Sequence, residues 1–192
     1  KPVSRPAMRS WQLKQAVRVV RAGGIIAYPT EGVYGLGCDP ENSVAVERLL
    51  LLKQRSSNKG LILIASSIEQ LESYNATVYI YVNNVQIHIA RSCDLDTARQ
   101  TRYPPYLARE DQTIAARVTA HPVASTLCKV ANQALVSTSA NASGHRPAHT
   151  PLQVRNIFKN NVDYIVHGGT GGSGKPTEIR DSRSGKIVRL GQ

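Results

Sequence analysis

Acidic residues are scarce in this chain: 13 Asp and Glu stand against 24 Lys and Arg over 192 residues, a formal net charge of +11. That imbalance favours polyanionic partners such as RNA or nucleotide phosphates, with a solvated basic surface as the plainer alternative. Cysteine is also scarce. Cys38, Cys93 and Cys128 are odd in number and lack metal-ligand spacing, which argues against a zinc or disulfide framework and leaves reduced thiols. No apolar run reaches the roughly 18 residues of a membrane span. The stretch Lys1-Pro2-Val3-Ser4-Arg5-Pro6 lacks the apolar centre of a signal peptide, so a soluble cytoplasmic protein with no membrane partner is expected. Internal repeats, low-complexity tails and linkers are missing too. With 41% apolar residues the chain can bury a sizeable core, and residues 1–192 read as a single domain.

Hydrophobic spacing supplies the elements. Leu13, Ala16, Val17, Val19 and Val20 predict a helix over 11–21, stopped by Ala22-Gly23-Gly24. A short buried strand over Ile25 to Tyr28 is ended by Pro29, and Gly32, Gly35 and Gly37 predict a loop after it. Asn42-Ser43 caps a helix that runs into Lys53; Leu61 to Ala65 is a second buried strand, and Ser66 to Leu71 reads as a capped helix start. Thr77 to Val82 and Val85 to Ile89 flank Asn83-Asn84 as a hairpin, while residues 91–112 read as loop broken by Tyr103-Pro104-Pro105-Tyr106. Strands at 113–118, 134–138, 164–166 and 186–189 and helices opening at His121-Pro122 and Pro151 complete an α/β class with a mixed sheet.

Two motifs far apart suggest a phosphate site. Lys53-Gln54-Arg55 sets two cations at a helix-to-loop junction, and Ser137-Thr138-Ser139-Ala140-Asn141 adds hydroxyls and an amide at the end of an apolar strand. Taken alone, the first also suits a charged pair at a helix C-terminus and the second a turn of local hydrogen bonds. Gly169-Thr170-Gly171-Gly172-Ser173-Gly174-Lys175 nearly spells a nucleotide-binding P-loop, but Pro176 stands where magnesium needs a hydroxyl and no helical run follows. A glycine-rich segment able to close over a ligand remains, with a plain surface loop as its alternative. His88 and His121 read as structural.

The ordered set Gly24 to Leu36 with its Tyr28-Pro29-Thr30-Glu31-Gly32-Val33-Tyr34-Gly35 core, Leu52-Lys53-Gln54-Arg55, Lys59-Gly60-Leu61, Ala116-Arg117-Val118, Ser137 to Gly144 and Pro176-Thr177-Glu178-Ile179-Arg180-Asp181 resembles the YrdC family. The match covers residues 11–73 and 113–191. Between 74 and 112 the family's helix and its aromatic-Pro-Gly-Pro-x-Thr segment are not found.

The resemblance implies a twisted mixed sheet flanked by helices with a large basic concave cleft. It also implies a nucleotidyltransfer from ATP, L-threonine and bicarbonate to threonylcarbamoyl-adenylate and pyrophosphate, a step in tRNA modification shared with other tRNA threonylcarbamoylation proteins. By the same match Lys53 and Arg55 would contact the nucleotide phosphates as the catalytic pair, joined on the ATP side by Thr113, Ser139, Asn141 and Arg189. Thr30, Lys59, Arg117, Ser137 and Thr177 would surround threonine, with Arg117 on its carboxylate. Magnesium would arrive with ATP on phosphate oxygens, and no protein metal site is implied. RNA or tRNA contact is the alternative the charge suggests, as a non-catalytic binding module.

Overall fold

The computed structural model describes residues 10–54, 61–71, 74, 77–82, 85–89, 104–107, 113–172, 179–180 and 187–189, with backbone alone at 77–82, 85–89, 105, 113, 179–180 and 187–189. Helix α1 (Ser10–Arg21) buries Leu13, Ala16, Val17 and Val20, one stripe at the helical period. It stops where Gly23 takes φ +80 and the Gly24 amide returns to Val19 O at 2.8 Å.

Strand β1 (Ile26–Pro29) follows, and the glycine-rich stretch after it is not wholly a loop: Tyr34–Gly37 form strand β2, antiparallel to β1. The reason is steric. A Cβ on Gly37 would stand 2.6 Å from Val136 O and 2.9 Å from Cε1 of Tyr28, so the glycines here make room for a tyrosine ring lying across the strand.

Helix α2 (Ser43–Lys53) starts under the Asn42 cap, whose Oδ1 accepts from the Ala45 amide at 3.0 Å, and ends at Gln54 in the left-handed region, φ 51. After β3 (Ile62–Ala65) the expected helix is a single 3-10 turn, Glu69–Leu71. Gln70 Oε1 does accept from the Ser66 amide and hydroxyl, at 2.9 and 3.0 Å, but Gln70 Nε2 donates to Cys128 O at 3.0 Å, tying the turn to the neighbouring layer.

Strands β4 (Thr77–Val82) and β5 (Val85–Ile89) form the hairpin that the sequence predicts, paired from Val78↔Ile89 to Val82↔Val85. Within the stretch predicted as loop, Pro105–Leu107 make a 3-10 turn that buries Leu107. Beyond it come β6 (Thr113–Val118), α3 (Pro122–Ala131), β7 (Leu135–Ser139), α4 (Pro151–Phe158), β8 (Tyr164–Ile165), β9 (Ile179–Arg180) and β10 (Ile187–Arg189).

Strands β1 to β8 make one mixed sheet in the order β5-β4-β6-β3-β7-β2-β1-β8, and β9 and β10 pair separately. Opposed residues share a face, so the registers sort the sheet into two. Ala27, Leu36, Leu63, Ala116 and Val136 pack with Ala45, Val46 and Leu49 of α2 and Val154 and Phe158 of α4. Ile26, Tyr28, Ile64 and Leu135 pack with α1 and with Val123, Ala124, Leu127 and Cys128 of α3. Among the described residues no helix is long and apolar enough to cross a membrane.

Candidate functional site

The polar residues singled out by the sequence appear on the face that α1 and α3 cover. Ser139 opposes Gly35, which opposes Tyr28; Ser137 opposes Ile62, and Ile64 opposes Arg117. Ser137, Ser139, Gly35 and Arg117 therefore point to one side of the sheet. Gly35 is the floor. A Cβ there would lie 3.2 Å from the Thr30 methyl, 3.4 Å from Tyr28 Cζ and 3.5 Å from Ser137 Oγ, so glycine leaves a space bounded by all three side chains. Thr30 closes its own turn, its amide and hydroxyl donating to Val33 O at 3.1 and 2.7 Å. Tyr28, fully buried beside Ser137 and near the Arg117 charge, has its hydroxyl pKa pushed up by burial.

Next to Thr30 the turn delivers Glu31 to Arg117, Oε2 to Nη1 at 3.2 Å, with side-chain exposures of 30% and 21%. The other carboxylate oxygen accepts from the Thr119 hydroxyl at 2.7 Å. Burial by itself would raise the Glu31 carboxyl, yet the Thr119 hydrogen bond and the Arg117 charge hold it below the usual carboxylate range. Buried Thr119 accepts in turn from the His121 amide at 3.2 Å, and the His121 ring Nε2 lies 3.2 Å from Gly169 O. The Gly171 amide donates to Thr30 O at 2.9 Å, so the start of the glycine-rich segment is docked on the same turn. Gly171 has to be small, because a Cβ would sit 2.8 Å from Glu31 O. Glu31 lies inside the Tyr28 to Gly35 motif without an assigned role, Thr119 lies just past the Ala116-Arg117-Val118 motif, and His121 reads as structural; only the folded turn joins the three.

Lys53 reaches the site from the opposite face. The residue is 4% exposed, and its ammonium meets the Ser139 carbonyl, Ser139 Oγ at 3.4 Å, Asn141 O at 2.8 Å and Asn141 Oδ1 at 2.9 Å. Three ammonium hydrogens thus face four oxygens. The Lys53 carbonyl accepts from the Ser143 amide at 3.0 Å, and the loop closes on itself through Ser139 Oγ to Asn141 Oδ1 and Asn141 Nδ2 to His145 O, both at 2.6 Å. Lys53 and the Ser-x-Asn motif are therefore one unit, held by the lysine.

Of the other expected site residues, Thr113 lies in β6 opposite Thr77 and Arg189 in β10 opposite Ile179. Arg55, Lys59 and Thr177 fall outside the described residues, as do Cys93 and Ser173 to Pro176 of the glycine-rich segment. Cys38 and Cys128 are free and buried, and burial pushes both thiols up to about 12, which keeps them protonated at neutral pH. Among the described residues no group of three or more His, Cys, Asp or Glu is placed to hold a metal ion.

A profile of the Sua5, YciO and YrdC family, described as telomere recombination, matches residues 18–191. The threonylcarbamoyl-AMP synthase of Nitrosococcus oceani is 46% identical over 185 residues, 95% of this chain and 100% of that relative. The protein of the same name from Halorhodospira halophila is 44% identical over 185 residues, 96% of this chain and 97% of the relative. Among solved structures, Sua5 of P. abyssi, crystallised with L-threonine, superposes with a TM-score of 0.78 at 23% identity, over 97% of this chain. This chain spans 56% of that protein's length, and the likeness there is one of fold. Profile, relatives and motifs agree, and the chain belongs to the Sua5, YciO and YrdC family.

Proposed function

We infer that this chain is a threonylcarbamoyl-AMP synthase, forming threonylcarbamoyl-adenylate and pyrophosphate from L-threonine, bicarbonate and ATP for threonylcarbamoyladenosine in tRNA. Family membership and the named relatives support the reaction. The observation that fits it to this site is the gathering of Thr30, Ser137 and Arg117 on one sheet face, with the loop that Lys53 ties down at the end of the same strand.

The chemistry asks for such an arrangement. Threonine's amine and bicarbonate give a carbamate and water; a carbamate oxygen then attacks the α-phosphorus of ATP, and the bond to pyrophosphate breaks. Two anions must be held in line and the charge on phosphorus offset. On the threonine side we place Thr30, Ser137, Arg117, Lys59 and Thr177, with Arg117 gripping the carboxylate. On the ATP side we place Arg55, Ser139, Asn141, Thr113 and Arg189. Lys53, its ammonium ringed by Ser139 and Asn141 oxygens, serves that side by holding their loop in shape.

Magnesium accompanies the triphosphate and is carried by phosphate oxygens, since the donors near this loop are hydroxyls, amides and cations. One domain over residues 1–192, a basic cleft, a cytoplasmic setting and contact with tRNA and the proteins that use the adenylate complete the reading, the contact favoured by the charge of +11. Calorimetry of threonine with and without ATP tests it: each ligand should tighten the other by the same factor, and independent binding would count against a shared cleft.

A further inference from the structure

The ion pair between Glu31 and Arg117 has the chemistry of an amino-acid clamp. A zwitterionic α-amino acid carries a cation and an anion on one carbon, and a site that reads it needs the opposite charges side by side. Here a guanidinium and a carboxylate meet at 3.2 Å, each partly open to solvent. One arginine nitrogen is used in this contact, leaving further donors for a carboxylate. The carboxylate is also held from behind, because Thr119 donates to Oε1 at 2.7 Å and is itself fixed by the His121 amide. A carboxylate has more lone-pair sites than these two contacts fill, and one positioned in this way accepts a further hydrogen bond without losing rotamer freedom at the moment of binding.

We propose that Glu31 is a substrate-binding residue that receives the α-ammonium of threonine while Arg117 receives its carboxylate, so that the pair selects free α-amino acids over hydroxy acids. This rests on the placement of threonine at Arg117. Glu31 then discriminates at a different atom from Thr30 and Ser137, whose hydroxyl and methyl groups line the space over Gly35.

The test is a ligand and protein cycle by calorimetry. Threonine is compared with 2,3-dihydroxybutanoate, which keeps the carboxylate and lacks the ammonium, on the wild-type chain and on Glu31→Gln. The wild type should prefer threonine by about tenfold or more, the scale of a charge-assisted hydrogen bond. Glu31→Gln, checked for folding by its melting curve, should lose most of that preference. Equal weakening of both ligands in Glu31→Gln would overturn the proposal, since Glu31 would then act only through Arg117. Equal affinity of the wild type for both ligands would overturn it with no variant needed, should the variant fail to fold. Failure of threonine to bind the wild type at all would instead remove the site reading beneath it, and the proposal with it.

Discussion

The Lys53 ammonium donates to both oxygens of Asn141, the carbonyl at 2.8 Å and Oδ1 at 2.9 Å, across 88 residues of sequence. A lone buried ammonium is costly unless oxygens surround it, and here the surrounding oxygens belong to the loop it organises. The two halves of the phosphate motif are thus interdependent, and removing the lysine removes the support of the serine and asparagine.

Lys53→Met keeps the length and discards the charge. It leaves the Asn141 carbonyl facing an apolar tip, while the Ser139 carbonyl keeps the Asn141 amide at 3.0 Å; an unsatisfied buried acceptor costs roughly 1–3 kcal/mol. Urea unfolding should show a lower midpoint with an unchanged slope. Calorimetry should show adenosine, AMP and ATP weakened alike, because the whole loop is displaced. A loss that grows with each added phosphate would instead mean that Lys53 contacts the phosphates directly.

Gly35→Ala should separate binding from stability. The new methyl sits 3.2 Å from the Thr30 methyl, 3.4 Å from Tyr28 Cζ and 3.5 Å from Ser137 Oγ; the first is relieved by a small side-chain shift and the other two are ordinary contacts, so the protein folds. The space above the glycine is filled. The KM for threonine is expected to rise by about tenfold or more, with the KM for ATP little changed; steady-state kinetics in each substrate checks this. An unaltered KM for threonine would move the substrate elsewhere.

How much of this was legible in the sequence follows from how far each interaction reaches. Helix α1, its Gly23 stop and the Asn42 cap are local, and spacing and residue type gave them directly. The β4 and β5 hairpin was also local, and the propensity of Thr77 to Ile89 for strand prevailed where the family pattern called for a helix. Strand β2 was hidden because its glycines look like a turn until the Tyr28 ring is laid across them. The Ser66 capping signal was genuine, but Gln70 is also bound to Cys128 O and the helix stops after one turn. Within the site, motif residues were found by type and order. The pairs Glu31 with Arg117 and Lys53 with Asn141 were not, because each joins elements whose proximity depends on the sheet order.

Acid should loosen the fold in a defined direction. Glu31 and Asp163 both titrate below their ordinary values of 4.5 and 3.8, the first with Thr119 and Arg117, the second with Arg48 and the Ile25 amide. A depressed carboxyl contributes stability that is complete above its unfolded value and is lost as pH falls through its folded one. Unfolding midpoints measured from about pH 6 down to about pH 3 should therefore fall on the acid side, and Glu31→Gln should flatten part of that slope. A variant with the same slope as the wild type would mean that the Glu31 contacts add nothing to stability.

Pyrophosphate release from ATP reads the adenylate-forming reaction itself. Release should require L-threonine and bicarbonate together, and Arg117→Ala should lower kcat/KM for threonine by at least roughly a hundredfold, the loss of a charge-assisted carboxylate grip. Pyrophosphate release indifferent to threonine, or none above a Lys53→Ala control, would contradict the account.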